Sequence, residues 1–252
     1  MKIKNYAIIL FFGTCLSVNA QVDPYTYFLF SAGVNVQNIK SKSLNRFENN
    51  YKNYHGTNIK NSRNYPGTGF YIQANLSPLP LLNMEISRHN SHKQINFKDG
   101  GSLNFKLTKR LFRFNMGVNL GEFEDQGFII KPEFSVGFGN SIVNIKSELK
   151  NTQDKDNELA GEYKESSMVL SLGLNFIYKK DDSPLGFKFY IRQNWTPIPG
   201  NLERQLLVDY QYWRASSSSN LWRYEGEYVK SDNRFFEVGA GACIIFSDIF
   251  DL

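Results

Sequence analysis

Between residues 28 and 37 apolar and polar side chains alternate. Phe28, Phe30, Ala32, Val34 and Val36 share one face, while Leu29, Ser31, Gly33, Asn35 and Gln37 share the other. Period two marks a strand with two chemically different faces. The alternation returns at residues 70 to 77, 82 to 87, 103 to 108, 112 to 121 and 128 to 138. It appears weakly at 143 to 149, then clearly at 168 to 178, 185 to 192 and 236 to 246. Ten strands are therefore predicted, with eight as the alternative if 143 to 149 and one neighbour dissolve into loops. Pro132 lies inside one run and cannot donate to a ladder, so a bulge or a strand end is expected there.

The predicted connections alternate in length. Residues 78 to 81, 108 to 111, 139 to 141 and 179 to 184 are short, whereas 38 to 66, 93 to 101, 122 to 127, 150 to 164 and 193 to 233 are mostly longer and polar. In a membrane barrel, short turns face the periplasm and long loops face outward, and an even strand number returns both ends to one side.

The N-terminus supports export. Lys2 and Lys4 precede the apolar run Ala7-Ile8-Ile9-Leu10-Phe11-Phe12, and small residues end the segment at Val18-Asn19-Ala20. This is the pattern of a secretory signal peptide over residues 1–20, cut between Ala20 and Gln21. Phe12-Gly13-Thr14 is a poor approach for lipidation of Cys15. One domain, 21–252, is left. Its only cysteine is Cys243, so no internal disulfide can form. The whole chain carries 29 Lys and Arg against 24 Asp and Glu. Without the two leader lysines its net charge is +3, too mild to suggest a nucleic-acid partner.

After residue 20 no stretch reaches the ~20 apolar residues of a membrane helix. Only helices and closed barrels satisfy the backbone in hydrocarbon, so an exported chain of this kind spans a membrane with strands. The polar face is rich in Gly, Asn, Ser and Gln, which suits a crowded lumen better than a water-washed surface. Tyr25, Tyr27, Tyr71, Tyr178, Tyr190 and Trp195 lie near strand ends, as an interfacial girdle requires. The fold expected is an all-β, up-and-down antiparallel transmembrane β-barrel. Its lumen would collect Glu85, Lys106, Arg113, Lys131, Glu133, Lys188, Arg192 and Glu237. So narrow a barrel encloses little beyond its own side chains, so these charges should pair and an open pore is not expected.

The leader ending in Asn19-Ala20-Gln21, the glycine-bearing strands at 33 to 37, 117 to 121 and 239 to 241, and the terminal amphipathic strand resemble the outer-membrane β-barrel domain family of small porin-like proteins in Gram-negative bacteria. The resemblance covers most of residues 25 to 248 and implies an outer-membrane location, with outer-membrane lipid and lipopolysaccharide as neighbours. It implies no particular activity.

Two segments could carry chemistry. His89 and Ser91 lie two apart and share a strand face, as a base and a nucleophile do. The pair is similar to the His-x-Ser pattern of lipid A deacylases, but His92 stands where those enzymes have Asn and no acid lies at the family's spacing. Their strand phase also points into the lumen, away from lipid. Ten strands would be similar to the omptin proteases, whose paired acids and histidine are not readable here. The second segment, 193 to 233, holds Trp195, Tyr210, Tyr212, Trp213, Trp222 and Tyr224 among several arginines. Such aromatics suit stacking on a surface glycan or on a protein partner, and they equally suit packing on one another. No metal or cofactor is implied, and the function expected is non-enzymatic binding by the outer loops. A lipid-modifying enzyme using His89 and Ser91, or a narrow diffusion porin, is the alternative.

Overall fold

In a computed structural model the chain forms eight strands. They are β1 (Phe28–Ser41), β2 (Asn64–Asn75), β3 (Leu82–Asn96), β4 (Ser102–Gly117), β5 (Phe128–Glu148), β6 (Ala160–Lys179), β7 (Leu185–Trp195) and β8 (Asn233–Phe246). The structure describes residues 27–41, 44–45, 48–49, 64–75, 82–97, 100–120, 127–148, 160–179, 183–197 and 233–246. The leader 1–20, its cleavage site and the loop aromatics Tyr210, Tyr212, Trp213, Trp222 and Tyr224 lie outside them.

Each strand pairs antiparallel with the next, and β8 closes on β1. Following ladder partners once around the barrel from Phe30 leads to Lys40, a shift of ten residues. With eight strands, such a shear tilts them by about 40° to the barrel axis.

Eight strands replace the expected ten because β4 and β5 each absorb two predicted segments. The expected turns at 108 to 111 and 139 to 141 are mid-strand. The reason is an inversion of faces along one unbroken alternation. In lower β4, Phe112, Phe114 and Met116 point outward while Arg113 and Asn115 are buried; in upper β4, Leu103, Phe105 and Leu107 are buried while Lys106 and Arg110 are exposed. β5 does the same. Lys131, Glu133 and Ser135 point inward below, Val143 and Ile145 above, while Lys146 and Glu148 are exposed outside. Apolar residues thus change strand parity where the surroundings change from lipid to water.

Below that line the outer surface is an apolar belt, with Val34, Phe70, Ile86, Phe138, Phe187 and Phe236 all exposed. A closed barrel wearing such a belt is built to face hydrocarbon. Above it, β3 to β6 continue as a wall with its own apolar interior, where Leu103, Phe105, Val143, Ile145, Tyr163 and Val169 pack with Ile39, Tyr65 and Phe235. A cysteine placed at Lys106 or Lys146 should therefore react with a membrane-impermeant maleimide on intact cells. One at Phe114 or Phe134 should not, and Cys243 is buried and silent. Equal labelling at all four positions would contradict the inversion.

Other expectations change with the topology. Residues 93 to 96 belong to β3, and a short connection follows before β4 begins at Ser102. There Gly100 has φ 85°, a conformation that favours glycine, and Phe97 N–H donates to the Gly101 carbonyl at 2.8 Å. Gly117 ends β4 and Phe128 opens β5 at the end of the barrel opposite the β3–β4 connection, so 122 to 127 does not join them at the end expected of an outer loop. Pro132 does not interrupt β5 itself; the β4 ladder ends opposite it, at Gly117 and Glu133, and resumes in the same register as a single bridge between Leu120 and Ile130. Tyr27, Tyr71 and Tyr190, expected in the girdle, are buried inside, whereas Tyr178 is exposed on the outer face.

Candidate functional site

The lumen is stacked in three layers. Tyr27, Leu29, Ile129, Ile177, Cys243 and Ile245 form an apolar plug at the lower end. The upper apolar core seals the other end, helped by Leu44 from a short helical stretch and by Glu48. The Glu48 carboxylate is buried and accepts from the Tyr65 hydroxyl at 2.9 Å and from Lys93 at 2.7 Å. Charges lie between these layers, where alternation of β2, β3, β4, β5, β7 and β8 points polar side chains inward.

Glu85 and Glu237 are fully buried, and two arginines hold them. Arg113 donates through Nη1 to Glu85 and, at 3.0 Å, to Ser87; its Nη2 reaches Glu237 at 2.7 Å. Arg192 grips Glu85 with both guanidinium nitrogens at 2.9 Å and lies 3.5 Å from Glu133. Bidentate forks of this kind are the strongest ionic pairings a side chain makes. The Tyr190 hydroxyl donates to Glu237 at 2.7 Å, and Asn83 to Glu133 at 3.0 Å. Lys131 lies 3.9 Å from Glu133. Lys188 donates to Gln73 and sits between the Tyr71 and Tyr190 rings, 5.2 and 5.1 Å from their centroids.

Glycines make room for those rings. Tyr71 and Tyr190 meet edge to face at 5.1 Å, directly over Gly239 and Gly241 of β8. A Cβ at Gly239 would lie 2.2 Å from the Tyr190 ring, and one at Gly241 2.7 Å from the Tyr71 hydroxyl.

Seven of the eight charges read from the sequence as lumenal, Glu85, Arg113, Lys131, Glu133, Lys188, Arg192 and Glu237, are buried inside. Lys106 is the exception: it lies above the inversion, exposed on the outer wall. Sequence reasoning missed Lys109, buried with its ammonium 3.6 Å over the Phe235 ring, and Glu48. Lys109 shares odd parity with Arg113, a signal that the supposed turn at 108 to 111 concealed. Glu48 lies in no alternating segment.

His89 and Ser91 both point inward but are not paired with each other, and His89 Nδ1 has no hydrogen-bond partner among the described residues. His89 Nε2 is 3.3 Å from Ser87 Oγ and 4.0 Å from Glu237, and the Ser91 hydroxyl donates to the Pro66 carbonyl at 2.5 Å. Trp195 ends β7 beside Arg234 of β8.

A closed antiparallel barrel with a lipid-facing belt and a filled, ion-paired lumen is a membrane barrel of the small outer-membrane type. No family model matches the chain, and no curated protein matches it. Among solved structures it is similar to Ail, the attachment invasion locus protein of Yersinia pestis, in complex with the heparin analogue sucrose octasulfate, at 9% identity, covering 87% of this chain and 99% of that one with a TM-score of 0.41. Neisserial surface protein A is similar at 12% identity over 87% and 97% of the two chains, with a TM-score of 0.42. OprG from Pseudomonas aeruginosa is similar at 10% identity over 90% and 98%, with a TM-score of 0.41.

Proposed function

We propose that this outer-membrane barrel is non-enzymatic and closed to solutes, and that it holds a rigid, water-exposed outer end for binding a surface ligand or a partner protein. In this reading residues 1–20 direct export and are removed after Ala20. The observation that carries the reading is the continuation of β3 to β6 beyond the lipid belt with an apolar core of their own. Strands need no such extension to span a bilayer, where about 9–11 residues suffice. The 21 residues of β5 and the 20 of β6 go well beyond that. The aromatics of 193–233, interleaved with Arg204, Arg214 and Arg223, suit stacking on a sugar or burial against a protein surface.

The closed lumen supports the same reading. Glu85, Glu133 and Glu237 are each held by bases between two apolar layers, so an ion entering would have to displace both a packed core and buried ion pairs. Purified protein in planar bilayers is expected to give no regular conductance steps, and their appearance would overturn the closed barrel. Release of fatty acid from purified lipid A would overturn the non-enzymatic part.

A further inference from the structure

The outward charges just above the apolar belt have one sign. Among the described residues, Lys40, Arg88, Arg110 and Arg234 are exposed there, with Lys106 higher on the same wall. The outward acids, Glu148 and Glu162, stand near the tip and are paired with Lys146 at 3.0 Å and Lys164 at 2.9 Å.

Arg88 and Arg110 are direct partners across the β3–β4 ladder. Like charges so placed repel, and side chains at such positions start only about 5 Å apart. Neither guanidinium has an acidic partner among the described residues. The pair immediately below, Ile86 and Phe112, belongs to the lipid-facing belt. The pair above, Asn90 and Thr108, is hydrogen-bonded at 3.1 Å. The two arginines thus form the first polar step above hydrocarbon. A second basic pair, Lys40 and Arg234, meets across β1 and β8, beside a cavity of about 270 Å³ that Trp195 helps to line.

We propose that Arg88 and Arg110 together bind one phosphate group of a phosphorylated lipid in the outer leaflet, whose acyl chains lie along Ile86 and Phe112. A tetrahedral dianion between the two forks turns their repulsion into paired, charge-assisted hydrogen bonds. It also sits at the height where a headgroup phosphate meets its chains. Anionic lipid explains why this step carries bases alone and why the paired acids stand farther out. The inference rests on the reading that the belt lies in the outer membrane.

The test uses the full chain refolded into phosphatidylcholine nanodiscs doped with diphosphorylated lipid A or with the same lipid stripped of phosphate. Lipid retained on the purified barrel is counted by native mass spectrometry. The wild-type barrel is expected to retain the phosphorylated form roughly tenfold more than the stripped form. R88Q with R110Q should lower retention to the stripped level while heat-modifiable migration persists. R88K with R110K should fall between, because an ammonium lacks the planar fork. Inorganic phosphate should not displace the lipid.

Equal retention of the two lipids by the wild-type barrel would overturn the proposal without recourse to any variant. So would a double glutamine variant that behaves like wild type, or displacement by inorganic phosphate alone. Failure to insert into nanodiscs at all would instead defeat the membrane reading on which the proposal rests.

Discussion

Replacing Arg113 with alanine is expected to destabilise the barrel by about 3–5 kcal/mol, the usual cost of removing one partner from a buried ion pair. Arg113 bridges the two carboxylates at the centre of the lumen, reaching Glu85 with one nitrogen and Glu237 with the other. Without it Glu237 keeps Tyr190 as a donor but loses its closest cation, since Arg192 stands 4.0 Å away. Glu85 keeps the fork of Arg192. The larger part of the loss therefore falls on Glu237, and adding Glu237→Gln to the variant should restore a substantial part of the stability. Urea unfolding in detergent, followed by tryptophan fluorescence, measures both effects. An unchanged midpoint for Arg113→Ala would show that the network contributes nothing to holding the barrel together.

Gly239→Val should be more damaging, because the obstruction has no room to relax. The added Cβ would collide with a Tyr190 ring that is already held by its edge contact to Tyr71 and its hydrogen bond to Glu237. On the neighbouring seam Gly33 and Gly241 face each other, and a Cβ on either would come within 2.2 Å of backbone oxygen on the opposite strand. Overpacking a core costs about 1–3 kcal/mol where neighbours can shift, and more where they cannot. The expected readout is loss of the heat-modifiable, folded band on refolding into detergent. Tyr190→Ala in the same chain should bring that band back. Failure of that rescue would mean that the ring is not what Gly239 accommodates.

Strands β1, β7 and β8 were legible in the sequence because their apolar residues keep one parity over most of their length. β4 and β5 were not, for the same reason in reverse. Leu103, Phe105 and Leu107 lie on odd positions, whereas Phe112, Phe114 and Met116 lie on even ones, and a change of parity looks like a turn. It is instead one straight strand passing from lipid into water, where the requirements on its two faces exchange. The same exchange puts Lys106 outside and not in the lumen, because a polar position means inside only where lipid is outside. Tyr71 and Tyr190 failed in a different way. Their nearness to strand ends suggested an interfacial girdle, but their parity, shared with Gln73 and Arg192, pointed inward. The central charges Glu85, Arg113, Arg192 and Glu237 were readable because they lie below the inversion, where the alternation is clean. Which acid meets which base was not readable, because it depends on the shear that brings β3, β4, β7 and β8 to one level across the lumen.

The unequal strand lengths give the outer end a direction. Between Asn140 and Glu148, β5 climbs roughly 20 Å at about 3.3 Å per residue with a tilt near 40°. A headgroup layer is only about 5–8 Å deep. The tip of the wall therefore clears the lipid surface by more than its depth. Among the described residues β7 stops at Trp195 and β8 begins at Asn233, close above the belt. The described strands thus form a one-sided parapet. A large body settling onto the cell from that side would touch the β5–β6 rim before it reached the bilayer, and would be held off the lipid there.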